Sequence, residues 1–181
     1  MKIRLTILLI FLSFNLFGQI KARKDWPKSI QKEFNSIINE KRIDTVLVYY
    51  AYLGPWTNLP DSCKNISSVW VLWKTHTKYY YQQLSCKPTA RNKAKEFSGK
   101  SFDYFLKYKN AYKLQQEYYN KVISISKTDG INEYLIYMTK HNYIPFRISD
   151  WQRTEKKWNT LKWVKLEISA IDTIKKELKI E

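Results

Sequence analysis

Two histidines, two cysteines and sixteen carboxylates are the residues of this 181-residue chain with the most chemistry to offer, and their spacing excludes most of it. His76 lies in Lys74-Thr75-His76-Thr77 and His141 in His141-Asn142-Tyr143, with no cysteine or carboxylate at metal-ligand spacing beside either. Both read as surface or turn residues, and no metal site is expected. A serine nucleophile would lack the Gly-x-Ser-x-Gly elbow, and four glycines, one of them Gly18, leave no Gly-rich loop to cradle a phosphate. No catalytic residue and no cofactor are therefore expected. Carboxylates paired only by the fold remain a route to hydrolysis. Along the chain they stand beside lysines, as do Glu155 and Glu177, where solvated ion pairs are the ordinary reading.

Cys63 and Cys86 are the positive chemical signal, since two cysteines in an exported chain pair more often than they stay free. Cys63 lies just before, and Cys86 at the end of, residues 67–86, SSVWVLWKTHTKYYYQQLSC, the densest β-branched and aromatic run in the chain, which predicts a hairpin. A reversal at His76 sets Trp73 opposite Tyr79, Val71 opposite Tyr81 and Val69 opposite Gln83, with Cys86 opposite Ile66. The turn lacks Asn-Gly or Gly-x signals, so the register is only loosely specified. A bend through Lys64 and Asn65 then brings Cys63 within the roughly 5.5 Å Cα separation that a disulfide prefers. One hairpin face carries Val69, Val71 and Trp73, the other Trp70, Leu72 and Lys74; with both faces this apolar, the hairpin is expected at the centre of a sheet.

Basic side chains dominate the charge, with 32 Lys and Arg against 16 Asp and Glu. From Ser62 to Lys95 there is no carboxylate, so Lys87, Arg91, Lys93 and Lys95, extended by Lys74 and Lys78 at the hairpin turn, form a candidate anion-binding patch. Trp70, Trp73 and Tyr79 to Tyr81 nearby could stack on sugar rings, although large aromatics also fill cores. The lysines equally serve solubility alone.

At the N-terminus, Lys2 and Arg4 precede an apolar run from Leu5 to Phe17, and Gly18 offers a small residue for cleavage. The run is shorter than the roughly 20 residues a membrane-spanning helix needs. The pattern predicts a cleaved signal peptide over 1–18 and a mature domain over 19–181, exported to the periplasm or secreted, with no transmembrane segment in the mature chain.

The elements that must position these residues read as an α+β fold: a small, mainly antiparallel sheet with strands near 45–53, 68–75 and 77–84, packed by an N-terminal, a middle and a long C-terminal helix. Ile30, Phe34, Ile37 and Ile38 share one face of a helix over 25–41, with Asp25 as N-cap and Pro27 in the first turn. Residues 45–53 are a continuous apolar strand ended by Gly54-Pro55. The stretch after Cys86 reads as an exposed loop or short helix. From Ser101, Phe105, Tyr108, Tyr112 and Tyr119 line a helix face. Residues 122–138 fit a hairpin around Thr128-Asp129-Gly130 or a helix after Gly130 bearing Ile131, Leu135 and Met138, and the helix is preferred. Pro145 confines any strand over 143–148 to an edge. Ser149 and Gln152 form a capping box opening a helix over 149–181, preferred to a strand from Leu161 to Ile168.

Two functions fit this pattern. The first is an exported, non-catalytic binding protein for an anionic polymer, a glycan or lipid headgroups, without specific nucleic-acid recognition. The second is a hydrolase of envelope polymers whose carboxylates meet only in the fold.

Overall fold

The computed structural model describes residues 20–54, 59–87, 92–110 and 130–180. Within them the fold is α+β. Six strands form one antiparallel sheet in the order β4-β3-β2-β1-β5-β6, where β1 is Thr45–Tyr52, β2 Ser68–Lys74, β3 Tyr79–Ser85, β4 Lys95–Phe97, β5 Asn132–Thr139 and β6 Tyr143–Ser149. Helix α1 (Lys28–Lys41) covers one face. On the other lie α2, described over residues 100–110, and α5 (Lys162–Leu178), which follows two short helices, α3 (Asp150–Thr154) and α4 (Lys156–Asn159).

Strand alternation divides the core between the two faces. Val46, Val48, Val69, Val71, Trp73 and Ile136 pack with Ile30, Phe34 and Ile38 of α1, whereas Leu47, Leu72, Leu135 and Phe146 pack with Phe102, Phe105, Ile171 and Ile174. The apolar stripe of α1 is the expected one, but the helix begins after Pro27, and Asp25 instead bonds Arg23. Trp26 is fully buried, so the segment preceding α1 is part of the core.

The hairpin differs from its expected register by one residue: Trp73 pairs with Tyr80, Val71 with Gln82 and Val69 with Leu84. The reason is the turn, in which Thr75 N–H donates to Lys78 O at 2.8 Å and the Thr75 hydroxyl accepts from Lys78 N–H, centring the reversal between His76 and Thr77. A one-residue shift exchanges faces. Here it carries Leu84, the only aliphatic residue of β3, into the α1-side core. The sheet centre is the β1–β2 pair rather than the hairpin, because β5 adds to β1 over eight paired residues.

Residues 132–139 are a strand, not the expected helix. Tyr134, Ile136 and Met138 point to one layer and Leu135 and Tyr137 to the other, so burial on both faces erased the alternation that marks a strand. Ile131, counted in the helical pattern, is 42% exposed. β6 is an edge strand containing Pro145, as expected, and β4 forms the other edge inside the stretch expected to be loop or helix. Next to β4, Gly99 has φ +79°, and a Cβ there would lie 2.3 Å from the Tyr79 ring.

The C-terminal helix is broken in two places. Glu155 is extended and so is Leu161, where the Thr154 hydroxyl bonds Asp150 O and Asn159 Nδ2 bonds Arg153 O, supplying partners for carbonyls at the break. The breaks fold the Trp158 ring edge-on against Trp151 at 5.1 Å. The capping box at Ser149 is present, with Ser149 N–H donating to Gln152 Oε1 at 2.9 Å. Tyr112, Tyr119 and residues 122–129 lie outside the described residues, as does the N-terminal segment read as a signal peptide.

Candidate anion-binding groove

Cys63 and Cys86 form a disulfide with Cα atoms 5.4 Å apart. Cys86 N–H donates to Ser67 O, and Lys64 and Asn65, both at positive φ, return the chain to Cys63. The bridge therefore clamps the open end of the hairpin. It is compatible with an oxidising compartment.

At that end, helix α5 stops at Leu178, capped by left-handed Lys179, and no helix among the described residues covers the sheet face beyond it. Trp70, Tyr81 and Gln83 share this face because Trp70 pairs with Gln83 and Leu72 with Tyr81. They form the floor of a groove of about 490 Å³, with Leu178 to Ile180 as one wall and Asn92, Lys93 and Lys95 as the other. Trp70 packs against Tyr49 with ring centroids 5.6 Å apart, and Tyr81 against Phe97 at 5.9 Å, so each ring is braced by an aromatic neighbour that is not itself in the groove lining. Gln83 Nε2 donates to the Ser68 hydroxyl at 3.0 Å, which orients the amide. Lys93, Lys95 and Lys179 have no ion-pair partner among the described residues.

A second depression of about 380 Å³ adjoins the groove through Ser67, Ser68, Trp70 and Ile180. It holds the carboxylates that the fold assembles: Glu133, Asp150 and Asp172. Glu133, on β5, is almost fully buried and accepts from Tyr49 Oη at 2.8 Å, from Arg153 Nε at 2.9 Å and from Lys175 Nζ at 3.4 Å. Burial alone would raise its pKa, but the Arg153 charge and the Tyr49 hydroxyl, with Arg153's hydrogen bond and Lys175, more than offset that and hold it below the ordinary value. Tyr49 is driven the other way, first by burial and then by the Glu133 charge. Glu133 is thus an anion committed to joining β5 to α3 and α5 rather than a proton donor.

Of the cations expected to form the patch, Lys93 and Lys95 line the groove. Lys74 sits at the far end of β2, its ammonium 4.8 Å from the Tyr79 ring centroid. Lys78 pairs with Glu96 at 2.8 Å. Lys87 follows the other end of the seven-residue β3, which separates it from Lys78 by roughly 30 Å at the usual strand rise. Arg91 lies outside the described residues. Sequence reasoning missed Gln83 and Lys179; the period of two that placed Trp70 on one face could have added Gln83, but nothing local marks where α5 ends. Among the described residues no cluster of three His, Cys, Asp or Glu side chains could hold a metal ion, and no helix is long and apolar enough to cross a membrane. Comparison with protein families, with curated proteins and with solved structures found no match.

Proposed function

We propose that this protein is an exported, non-catalytic binding module for an acidic glycan, held in the groove over Trp70. The observation that carries this reading is the combination of two supported aromatic rings, an oriented amide and three lysines without an ion-pair partner among the described residues, gathered on one patch of sheet. Aromatic faces stack on the apolar faces of sugar rings, amides bond hydroxyls, and ammonium groups bind carboxylate or sulfate. Export is supported by the disulfide and by the basic, apolar and small-residue order of the first 18 residues.

Each lysine contact is weak by itself, so affinity depends on several acting together and falls with salt. The test is titration of the protein with a sulfated glycan and with polygalacturonate at low and at physiological ionic strength. Replacing Lys93, Lys95 and Lys179 together with Ser is expected to weaken binding about tenfold or more and to flatten its salt dependence. Trp70→Ala should weaken it at every salt concentration. Replacing Lys24, Lys28 and Lys32, at the N-terminus and on α1 across the sheet, serves as the control, and equal losses from the two triple changes would show the charge to be generic and sink the proposal.

A further inference from the structure

At the opposite end of β2 from this groove lies a larger cavity of about 830 Å³, within the size range of small-molecule sites. We propose that it binds an amphiphilic anion, an alkyl chain ending in a carboxylate or phosphate. The proposal does not depend on the glycan groove, which shares none of these residues.

The inner surface is aromatic and aliphatic. Trp73 and Tyr80, paired across the hairpin with ring centroids 5.9 Å apart, supply one side, and Phe102, Leu106 and Tyr137 supply the other. The cavity sits at the sheet end, where Trp73 and Tyr80 belong to the α1-side layer and Phe102, Leu106 and Tyr137 to the opposite one. Accordingly the surface it presents is chiefly apolar, which suits a hydrocarbon chain and leaves little for a sugar to bond.

The mouth is cationic. Lys41, Arg42, Lys74 and Lys109 line it, and Asp44, the one carboxylate among the described residues that line the cavity, is already bound by Lys140 at 2.6 Å. Lys109 lies over the Tyr137 ring of the wall, 5.6 Å from its centroid, while Lys74 lies over the ring of Tyr79, which is outside the lining, at 4.8 Å, so both ammonium groups are held beside the cavity by aromatic neighbours. Arg42 is held at φ 51° at the end of α1, with its backbone N–H donating to Ile38 O. An apolar interior beneath four cations and a neutralised acid is complementary to a ligand with one tail and one negative head.

The test is calorimetric titration of the full chain, below micelle-forming concentrations, with dodecyl phosphate, dodecanoate, neutral dodecyl maltoside and inorganic phosphate, with amide chemical shifts locating the site. The two dodecyl anions are expected to bind, to shift residues 41–45 and 73–75, and to bind at least tenfold more tightly than the maltoside; inorganic phosphate is not expected to bind. The double change Arg42→Glu with Lys74→Glu, both at exposed positions, should weaken the anions at least tenfold, and Leu106→Trp should block the tail without altering the rim charges. The Trp70→Ala variant should leave this binding unchanged. Equal affinity for anionic and neutral amphiphiles, phosphate binding as tight as dodecyl phosphate, shifts confined to other regions, or no binding of the anions by the folded protein would each overturn the proposal.

Discussion

Glu177 Oε2 accepts the backbone N–H of Ser101 at 2.9 Å, and its Oε1 accepts that of Lys100 at 3.1 Å, so a carboxylate on α5 caps the first turn of α2 from 76 residues away. The Ser98 hydroxyl donates to the same carboxylate. An anion at a helix N-terminus satisfies orphan N–H groups and meets the positive end of the dipole. Its sequence reading as a solvated partner for lysine is thereby corrected.

Burial raises the Glu177 pKa, but its hydrogen bonds from Ser101 and Ser98 and from the α2 backbone outweigh it, leaving the carboxyl below its ordinary value. The stability it confers is present above the ordinary carboxylate range and is lost as pH falls through the lowered value. Glu177→Ala is expected to cost about 1 kcal/mol, the usual worth of a cap, measured by urea unfolding at pH 7, with the difference shrinking at pH 3.

Glu133→Gln should be the most damaging single change at the β5–α3–α5 junction. The variant leaves Arg153 and Lys175 facing a neutral group in a largely buried setting, and losses of about 3 kcal/mol are typical when one member of a buried pair is removed. Because the Glu133 carboxyl is depressed, wild type should lose this advantage as pH drops below about 4, whereas the variant should not. Unfolding midpoints between pH 3 and 7 check both size and sign.

Glu167 has the opposite sign. It faces the core from α5, is 1% exposed, and burial raises its pKa well above the ordinary value. Its stabilising neutral form is fully favoured below the unfolded value of about 4.3, and stability then falls as pH rises toward the folded value, by at most about 1.4 kcal/mol per pH unit. Glu167→Gln should therefore gain on wild type between pH 4 and pH 7, and a constant difference in melting temperature across that range would refute the assignment.

Intact mass of the protein isolated without reductant should fall two hydrogens below the reduced value, and alkylation should find no free thiol. Replacing Cys63 and Cys86 with Ser is expected to cost about 3 kcal/mol in the chain-entropy model. Since the bridge closes the hairpin end next to Ser67 and Ser68, the same change should also weaken the glycan binding proposed for the groove.

Local pattern alone carries the apolar stripe of α1, the β1 run, the two faces of β2, the edge position forced by Pro145 and the Ser149–Gln152 cap. The pairing of Cys63 with Cys86 was legible too, because the hairpin brings them close whichever of two registers forms. The other features depend on long-range packing. A strand buried on both faces carries no alternation, so β5 passed for a helix until pairing with β1 and β6 fixed it. The one-residue hairpin register was settled by a turn bond and by Leu84 entering the core. Most of all, the candidate site depends on where α5 stops over the sheet: Lys93, Lys95 and Lys179 meet around Trp70 only because a helix end, an edge strand and a hairpin converge there, while Lys78 and Lys87, close in sequence to the same segment, are held at opposite ends of one strand.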